Sequence, residues 1–212
     1  MTQLTSIVPA GPATFAGDWA GAVRLTFRPG EEIYAQDEDA DLVYRVIRGS
    51  VRTIHLQSDG RRQVGDFYYE GDMIGVDVGA SHRFSAEALT NCEVLALRRS
   101  GSAAYEKGHV ERVMWAATIS ELQRTQSHLL LLGRATACEK VARFLMDIAN
   151  RYTGEFVILP MSRQDMADYL GLTIETISRM LSRLQAAGVI EFSGARKYRI
   201  RSPGCLSGMA AT

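Results

Sequence analysis

The sequence predicts an α+β protein: an N-terminal antiparallel β-roll of the jelly-roll kind, a long dimerisation helix and a C-terminal winged helix-turn-helix. Three observations carry that expectation. Short alternating apolar runs separated by glycines fill residues 22–97, a helical periodicity then runs over 105–132, and a pair of helix signals around Gly171 is followed by a basic hairpin. The expected parts are an arm over 1–21, the roll over 22–104, the helix over 105–133 and the winged unit over 134–212.

Pro9, Gly11, Pro12 and Gly17 leave the opening stretch without periodicity, hence an arm. The roll is expected from the runs Val23–Phe27, Leu42–Ile47, Val51–Leu56, Gln63–Tyr69 and Cys92–Leu97, with turns at Pro29-Gly30, Arg48-Gly49, Asp59-Gly60 and Gly71-Asp72. In the following helix Trp115, Thr118, Leu122, Thr125, Leu129 and Leu132 fall at a and d positions, and Ile119 widens the stripe. A helix of roughly 42 Å outruns one small roll, so the economical arrangement is a homodimer packed along Trp115, Ile119, Leu122, Leu129 and Leu132. Gly133 is expected to interrupt the helix. The pattern resumes over 135–152, with Val141, Phe144, Leu145, Ile148 and Tyr152 on one face.

With 46% hydrophobic and 23% charged residues in 212, the chain has the composition of a globular protein. No apolar run reaches the roughly 18 residues of a membrane helix, and no basic residue precedes Arg24 as a secretory signal requires, so no membrane and a cytoplasmic address are expected. Cys92, Cys138 and Cys205 are odd in number and widely spaced, which argues against a disulfide framework or a zinc site. An enzyme is not expected either, because a metal-binding His-x-His, a Ser-His-Asp set and a paired-carboxylate arrangement are all missing. The zero net charge conceals an asymmetry: residues 1–134 carry 14 basic and 17 acidic side chains, residues 135–212 carry 10 and 7.

The stretch 161–188 is the most informative. Ser162 is a helix cap with Asp165 three residues on as a shorter substitute for the Glu of a capping box, Gly171 ends that helix, and Thr173 caps a second one running to about Ala187. At about 100° per residue the second helix separates into a core side of Ile177, Met180, Leu181 and Leu184 and a polar arc of Glu175, Ser178, Arg179, Ser182 and Arg183, with Ile174 between them. Such an arc suits base reading, since Arg forks onto guanine O6 and N7 and Glu accepts from cytosine N4. The plain alternative is a solvated Glu175–Arg179 salt bridge at i, i+4. Arg163, Gln164, Thr173 and Thr176 cluster at the two helix N-termini, where donors suit phosphate. Beyond them Val189–Phe192 and Arg196–Arg201 predict a hairpin wing with Tyr198 and Ile200 inward and Lys197, Arg199 and Arg201 outward.

A glycine-punctuated roll, a long helix and a winged helix together resemble the CRP/FNR transcription regulators over about residues 20–202. The roll is then similar to a cyclic-nucleotide-binding domain. Ile174-Glu175-Thr176-Ile177-Ser178-Arg179 resembles the E-x-x-S-R signature of the FNR and FixK branch, and Leu159–Ala167 looks most like FixK-type proteins. The resemblance implies that Glu175, Ser178 and Arg179 read a TTGA half-site and that Ile174 meets a thymine methyl. Lys197, Arg163, Gln164, Thr173 and Thr176 would hold phosphates. Double-stranded DNA and RNA polymerase are the implied partners, with a palindrome of TTGA-N6-TCAA type and activation as the implied outcome.

Two departures from the family bear on control. Where the CRP branch carries Gly-Glu and an adjacent Arg-Ser for cyclic nucleotide, this chain has Gly75-Val76-Asp77 and Arg83-Phe84-Ser85. The cysteine cluster that holds iron and sulfur in FNR has no counterpart before Cys92, and three thiols fall short of four. No cofactor is therefore expected. Cys138, near a helix start, is the candidate redox thiol or, equally, a small buried hydrophobe. The alternative function is a ligand-gated relative sensing a small molecule or, through haem, nitric oxide; His55, His82, His109 and His128 would have to serve such a haem.

Overall fold

The structure, a computed structural model, describes residues 19, 21–99, 107–134 and 136–210, the side chains of 107–110 and 134 excepted. The expected arm therefore lies outside the described residues except for Trp19 and Gly21, as do Tyr105 and the side chain of His109. The roll is made of β1 (Val23–Phe27), β2 (Glu32–Tyr34), β3 (Leu42–Arg48), β4 (Ser50–Leu56), β5 (Arg62–Tyr69), β6 (Met73–Ile74), β7 (Ser85–Ala88) and β8 (Cys92–Arg98). They form two antiparallel sheets of order β1-β8-β3-β6 and β2-β7-β4-β5. Inward residues of both, Val46, Val51, Ala86, Ala88 and Val94 among them, make the core.

Strands β2, β6 and β7 were absent from the expected runs. The β7 segment Ser-Ala-Glu-Ala has no β-branched residue, and it is a strand because β2 pairs with one side of it and β4 with the other. At the β3–β4 turn Gly49 has φ +95°, and a Cβ there would stand 2.5 Å from the Asn91 carbonyl, so the turn admits glycine for space as well as for φ.

Helix α1 (Lys107–Arg134) lies on the roll by one face. Val113 and Ala117 are buried with Val43, Leu97 and Trp19, so a residue assigned to the arm belongs to the core. Further along, Arg124 reaches Asp72 at 2.6 Å and Asp66 at 3.6 Å, and the Tyr68 hydroxyl donates to Glu121 at 3.1 Å. Burial pushes the Asp66 and Glu121 carboxyls up, against the pull of Arg124.

Gly133 does not interrupt α1, which runs through it to Arg134. A single glycine weakens a helix by roughly 1 kcal/mol without ending it. What separates the two helices is a start signal that sequence reasoning overlooked: Thr136 caps α2 (Ala137–Ala149) in a full capping box with Glu139. Helix α2 buries Val141, Phe144, Leu145 and Ile148, but Tyr152 lies beyond its end, exposed, its hydroxyl donating to the Ile158 carbonyl at 3.2 Å. The inner face is one turn shorter than expected, because the helix stops at Ala149.

The winged unit continues with β9 (Val157–Ile158), α3 (Arg163–Leu170), α4 (Ile174–Ala186), β10 (Ile190–Phe192), β11 (Lys197–Ile200) and α5 (Pro203–Ala210). Its sheet has order β10-β11-β9. Met166, Ala167 and Leu170 of α3 and Ile177, Leu181 and Leu184 of α4 are buried in one core with the inner face of α2, each large apolar side chain contributing about 1.5–3 kcal/mol. Tyr198 satisfies its buried hydroxyl on the Leu145 carbonyl at 2.6 Å, tying the wing to α2. The described helices include none long and apolar enough to cross a membrane.

Candidate nucleic-acid interface

The two helices of the motif are set by local chemistry. Ser162 caps α3 and exchanges hydrogen bonds with Asp165, so Asp suffices where the longer Glu is usual. Gly171 turns the chain at φ +62°, and Thr173 caps α4 by accepting from the Thr176 N–H. Ala167, fully buried, lets α4 cross α3 closely.

This crossing leaves the polar arc of α4 on the surface. Ile174, Glu175, Arg179, Ser182 and Arg183 are exposed and Ser178 is half-buried. Its side chains touch one another lightly: Arg163 of α3 donates to the Ser178 hydroxyl at 3.3 Å, and Arg179 donates to the Thr176 hydroxyl at 3.3 Å. The Glu175 carboxyl is held below the usual carboxylate range by its own backbone N–H and by the Thr173 hydroxyl, so it is an acceptor. Glu175 and Arg179 form no ion pair among the described residues, so the plain alternative of a solvated salt bridge is not what this arc does.

Charge pairing divides the winged unit. Arg143 pairs with Asp147, Arg151 with Asp72, and Arg199 and Arg201 with Glu191, Arg199 also reaching Glu155. Arg163, Arg179, Arg183, Arg196 and Lys197 make no ion pair among the described residues, and all five are exposed. The expectation of a basic wing is corrected accordingly: Arg199 is half-buried and paired with Glu191 and Glu155, Arg201 is paired with Glu191, and the unpaired wing cations are Arg196 and Lys197, the latter poised over the Phe156 ring at 4.6 Å. Arg196 was not among the expected contacts. It follows Ser193-Gly194-Ala195 at the hairpin turn and lines one small cleft with Arg163, and its turn position was the available signal.

The remaining expected contacts are mixed. Thr173 is exposed and Thr176 half-buried, their hydroxyls 3.1 Å apart at the start of α4. Gln164 is exposed, with its amide already donating to Asp168 at 2.6 Å.

On α1 the apolar stripe is open to solvent at Trp115, Ile119, Leu122 and Leu129, which are 69%, 37%, 52% and 69% exposed. Leu130, 72% exposed, extends the stripe and was not expected. Leu132 departs from it, half-buried beside Gly171. On a straight helix a strict heptad stripe drifts by about 20° per repeat, which carries Leu132 round toward the inner face.

The position of the nucleotide motif is occupied by the chain's own groups. Asp77 Oδ2 lies 2.8 Å from Nδ1 of buried His82, and its Oδ1 accepts from the Arg83 N–H at 3.2 Å. His82 stacks on Tyr34 at 3.9 Å, and the Tyr34 hydroxyl accepts from the Gly75 N–H. These residues do not fit a cyclic nucleotide, whose ribose needs a free carboxylate. The thiols do not fit an iron–sulfur cluster: Cys92 is buried in the roll, donating to the Ser50 carbonyl at 3.0 Å, while Cys138 is half-buried against the winged unit's core and Cys205 is exposed on α5. His55 contacts the Arg83 carbonyl and His128 the Tyr169 carbonyl.

Comparison with known proteins agrees with this geometry. A Crp-like helix-turn-helix domain matches residues 139–208 and a cyclic nucleotide-binding domain matches 24–104. The nitrogen fixation regulation protein FixK of Rhizobium meliloti is 41% identical over 96% of this chain and 93% of its own length. FixK of Azorhizobium caulinodans is 43% identical over 85% of this chain and 76% of its own. The solved structure of FixK2 from Bradyrhizobium japonicum superposes with a TM-score of 0.83 at 45% identity, covering 90% of this chain and 98% of that one. The chain belongs to the CRP/FNR family of transcription regulators, in its FixK-like branch, and binds DNA through a helix-turn-helix rather than acting as an enzyme.

Proposed function

We propose that this regulator is a homodimer that reads a TTGA-N6-TCAA-like palindrome and activates transcription through contact with RNA polymerase, without cyclic nucleotide or iron–sulfur cluster. The observation that carries the proposal is the surface arc of Glu175, Ser178 and Arg179, on a unit whose Arg163, Arg183, Arg196 and Lys197 are exposed and, like Arg179, form no ion pair among the described residues. Arg179 supplies a fork for guanine, Glu175 an acceptor for a base amino group, and Ile174 an apolar contact for a thymine methyl. Arg163, Gln164, Thr173, Thr176 and Lys197 supply phosphate contacts around them, which orient the helix without reading sequence. Two such heads enter successive major grooves about one turn apart when the exposed stripe of α1 pairs with its copy. The occupied state of Asp77 supports binding without a nucleotide.

The test is titration of the full chain, with no ligand added, against TTGA-N6-TCAA and scrambled duplexes at fixed salt. Specific binding is expected as a gap of about 10³-fold or more between the two. Equal affinity for both overturns the proposal.

A further inference from the structure

Helix α3 is joined to the roll by a set of ion pairs that DNA reading as described leaves unused. Asp165 uses its Oδ2 for the capping box, accepting from Ser162 N at 3.0 Å and Oγ at 2.7 Å. Its Oδ1 accepts from two arginines of the roll, Arg52 Nη1 of β4 at 2.6 Å and Arg62 Nη2 of β5 at 2.8 Å. One turn along α3, Asp168 Oδ2 accepts from Arg62 Nε at 3.0 Å and Nη2 at 2.6 Å, while its other oxygen takes the Gln164 amide. Arg52 is itself anchored on Glu87 of β7 at 2.6 Å. Asp165 is 2% exposed.

A single contact would act as a pivot, but two carboxylates a helical turn apart, gripped by forked guanidinium groups, fix an orientation. Buried ion pairs of this kind contribute little net stability and much geometry. The gripped end of α3 is the end that carries Arg163 and Gln164, and Arg163 touches Ser178 on α4. Tyr169, next to Asp168, stacks on His128 of α1 at 4.0 Å and packs on Phe67 of β5 and Phe144 of α2. These contacts and the Arg151–Asp72 pair hold the winged unit beside the roll, and the grip adds the directional contacts at α3. The contacts of the roll with α3 leave the polar arc of α4 uncovered, so the grip is compatible with an accessible reading head.

We propose that Arg52, Arg62, Asp165 and Asp168 determine half-site spacing: by holding each winged unit in one orientation on its own roll, they set the separation at which the dimer presents its two α4 helices. This rests on the dimeric, palindrome-reading function above. Each added base pair shifts a half-site by roughly 3.4 Å and rotates it by about a tenth of a turn, so a rigid pair of heads rejects spacers that a loosened pair accepts.

The experiment measures affinity of the full-length protein for TTGA and TCAA separated by five, six or seven bases. It compares wild type with Arg62→Ala, which leaves Arg52 on Asp165, and with Arg62→Ala/Asp168→Ala, which removes both partners and orphans no carboxylate. Arg143→Ala/Asp147→Ala, an exposed pair on α2, is the control. Both grip variants are expected to reduce the preference for six over five and seven by about threefold or more, the control leaving it unchanged. General destabilisation lowers all duplexes alike and does not move this ratio. If either variant loses its fold by circular dichroism, the uncharged polar pair Arg62→Gln/Asp168→Asn takes its place. Grip variants as selective as wild type, or a wild type that prefers TTGA yet accepts all spacers equally, overturn the spacing proposal alone. A wild type that does not distinguish TTGA from scrambled DNA overturns both.

Discussion

Two polar clusters of this chain have similar ingredients and opposite states. In the roll, between Gly75 and Ser85, the carboxylate of Asp77 is shared by His82 and a backbone N–H, and His82 is sandwiched in the interior against Tyr34. On α4 the carboxylate of Glu175 and the guanidinium groups of Arg179 and Arg183 stand in solvent with no ion partner among the described residues. A donor or acceptor already satisfied inside the protein gains nothing from a ligand, whereas one left open can exchange water for a base or a phosphate. In this structure the first cluster is closed on itself and the second is open.

The largest test of this contrast removes the symmetry on which the open cluster depends. Leu122→Asp with Leu129→Asp places charges in the exposed stripe of α1 and is expected to yield monomers by sedimentation, with DNA affinity reduced by about 10²-fold or more through loss of bivalency. A wild-type chain that sediments as a monomer at micromolar concentration would remove the seam from the argument.

Next in size is Arg179→Ala, expected to weaken cognate binding by about 1–3 kcal/mol per half-site while random DNA is little affected. Glu175→Ala sharpens the comparison further, because an acid is repelled by phosphates and helps only by pairing with a base. Its specificity ratio is expected to fall while random DNA binds as well or better. Lys197→Ala is expected to act differently, weakening cognate and scrambled duplexes alike and reducing the salt slope by about one. Were Glu175→Ala and Lys197→Ala to give the same profile, the open cluster would not be a reading head.

The smallest effect is expected in the roll. Saturating cyclic AMP should leave DNA affinity unchanged, since Asp77 is engaged by His82 and Val76 stands where a ribose-binding Glu would be. A tenfold gain, about 1.4 kcal/mol, would show that the closed cluster opens.

Much of the fold was legible in the sequence where the cause is local. The caps Ser162, Thr173 and Gly171 and the core side of α4 could be placed because each acts within about one helical turn. Strand β7 could not, since Ser-Ala-Glu-Ala has no strand propensity and depends on neighbours far away in the chain. The length of α1 was legible too, 28 residues ending at Arg134, but the break before α2 comes from the Thr136 cap and not from Gly133. Leu132 leaves the predicted stripe because a straight helix turns a strict heptad inward over several repeats.

For the candidate site, the sequence by itself determined the identity of the polar arc, because about 100° per residue separates Glu175 and Arg179 from Met180 and Leu184 whatever surrounds them. It also determined that Asp165 completes the capping box that Ser162 opens on α3. Which cations remain available was decided only by the tertiary structure: Arg199 and Arg201 are spent on Glu191 across the wing, while Arg196 and Lys197 are not. The second role of Asp165 was likewise hidden, because Arg62 and Arg52 lie 103 and 113 residues away in the chain. Hydrophobic period and helix caps are properties of a few consecutive residues. An ion pair across two folded units exists only once each has packed and brought its surface to the other.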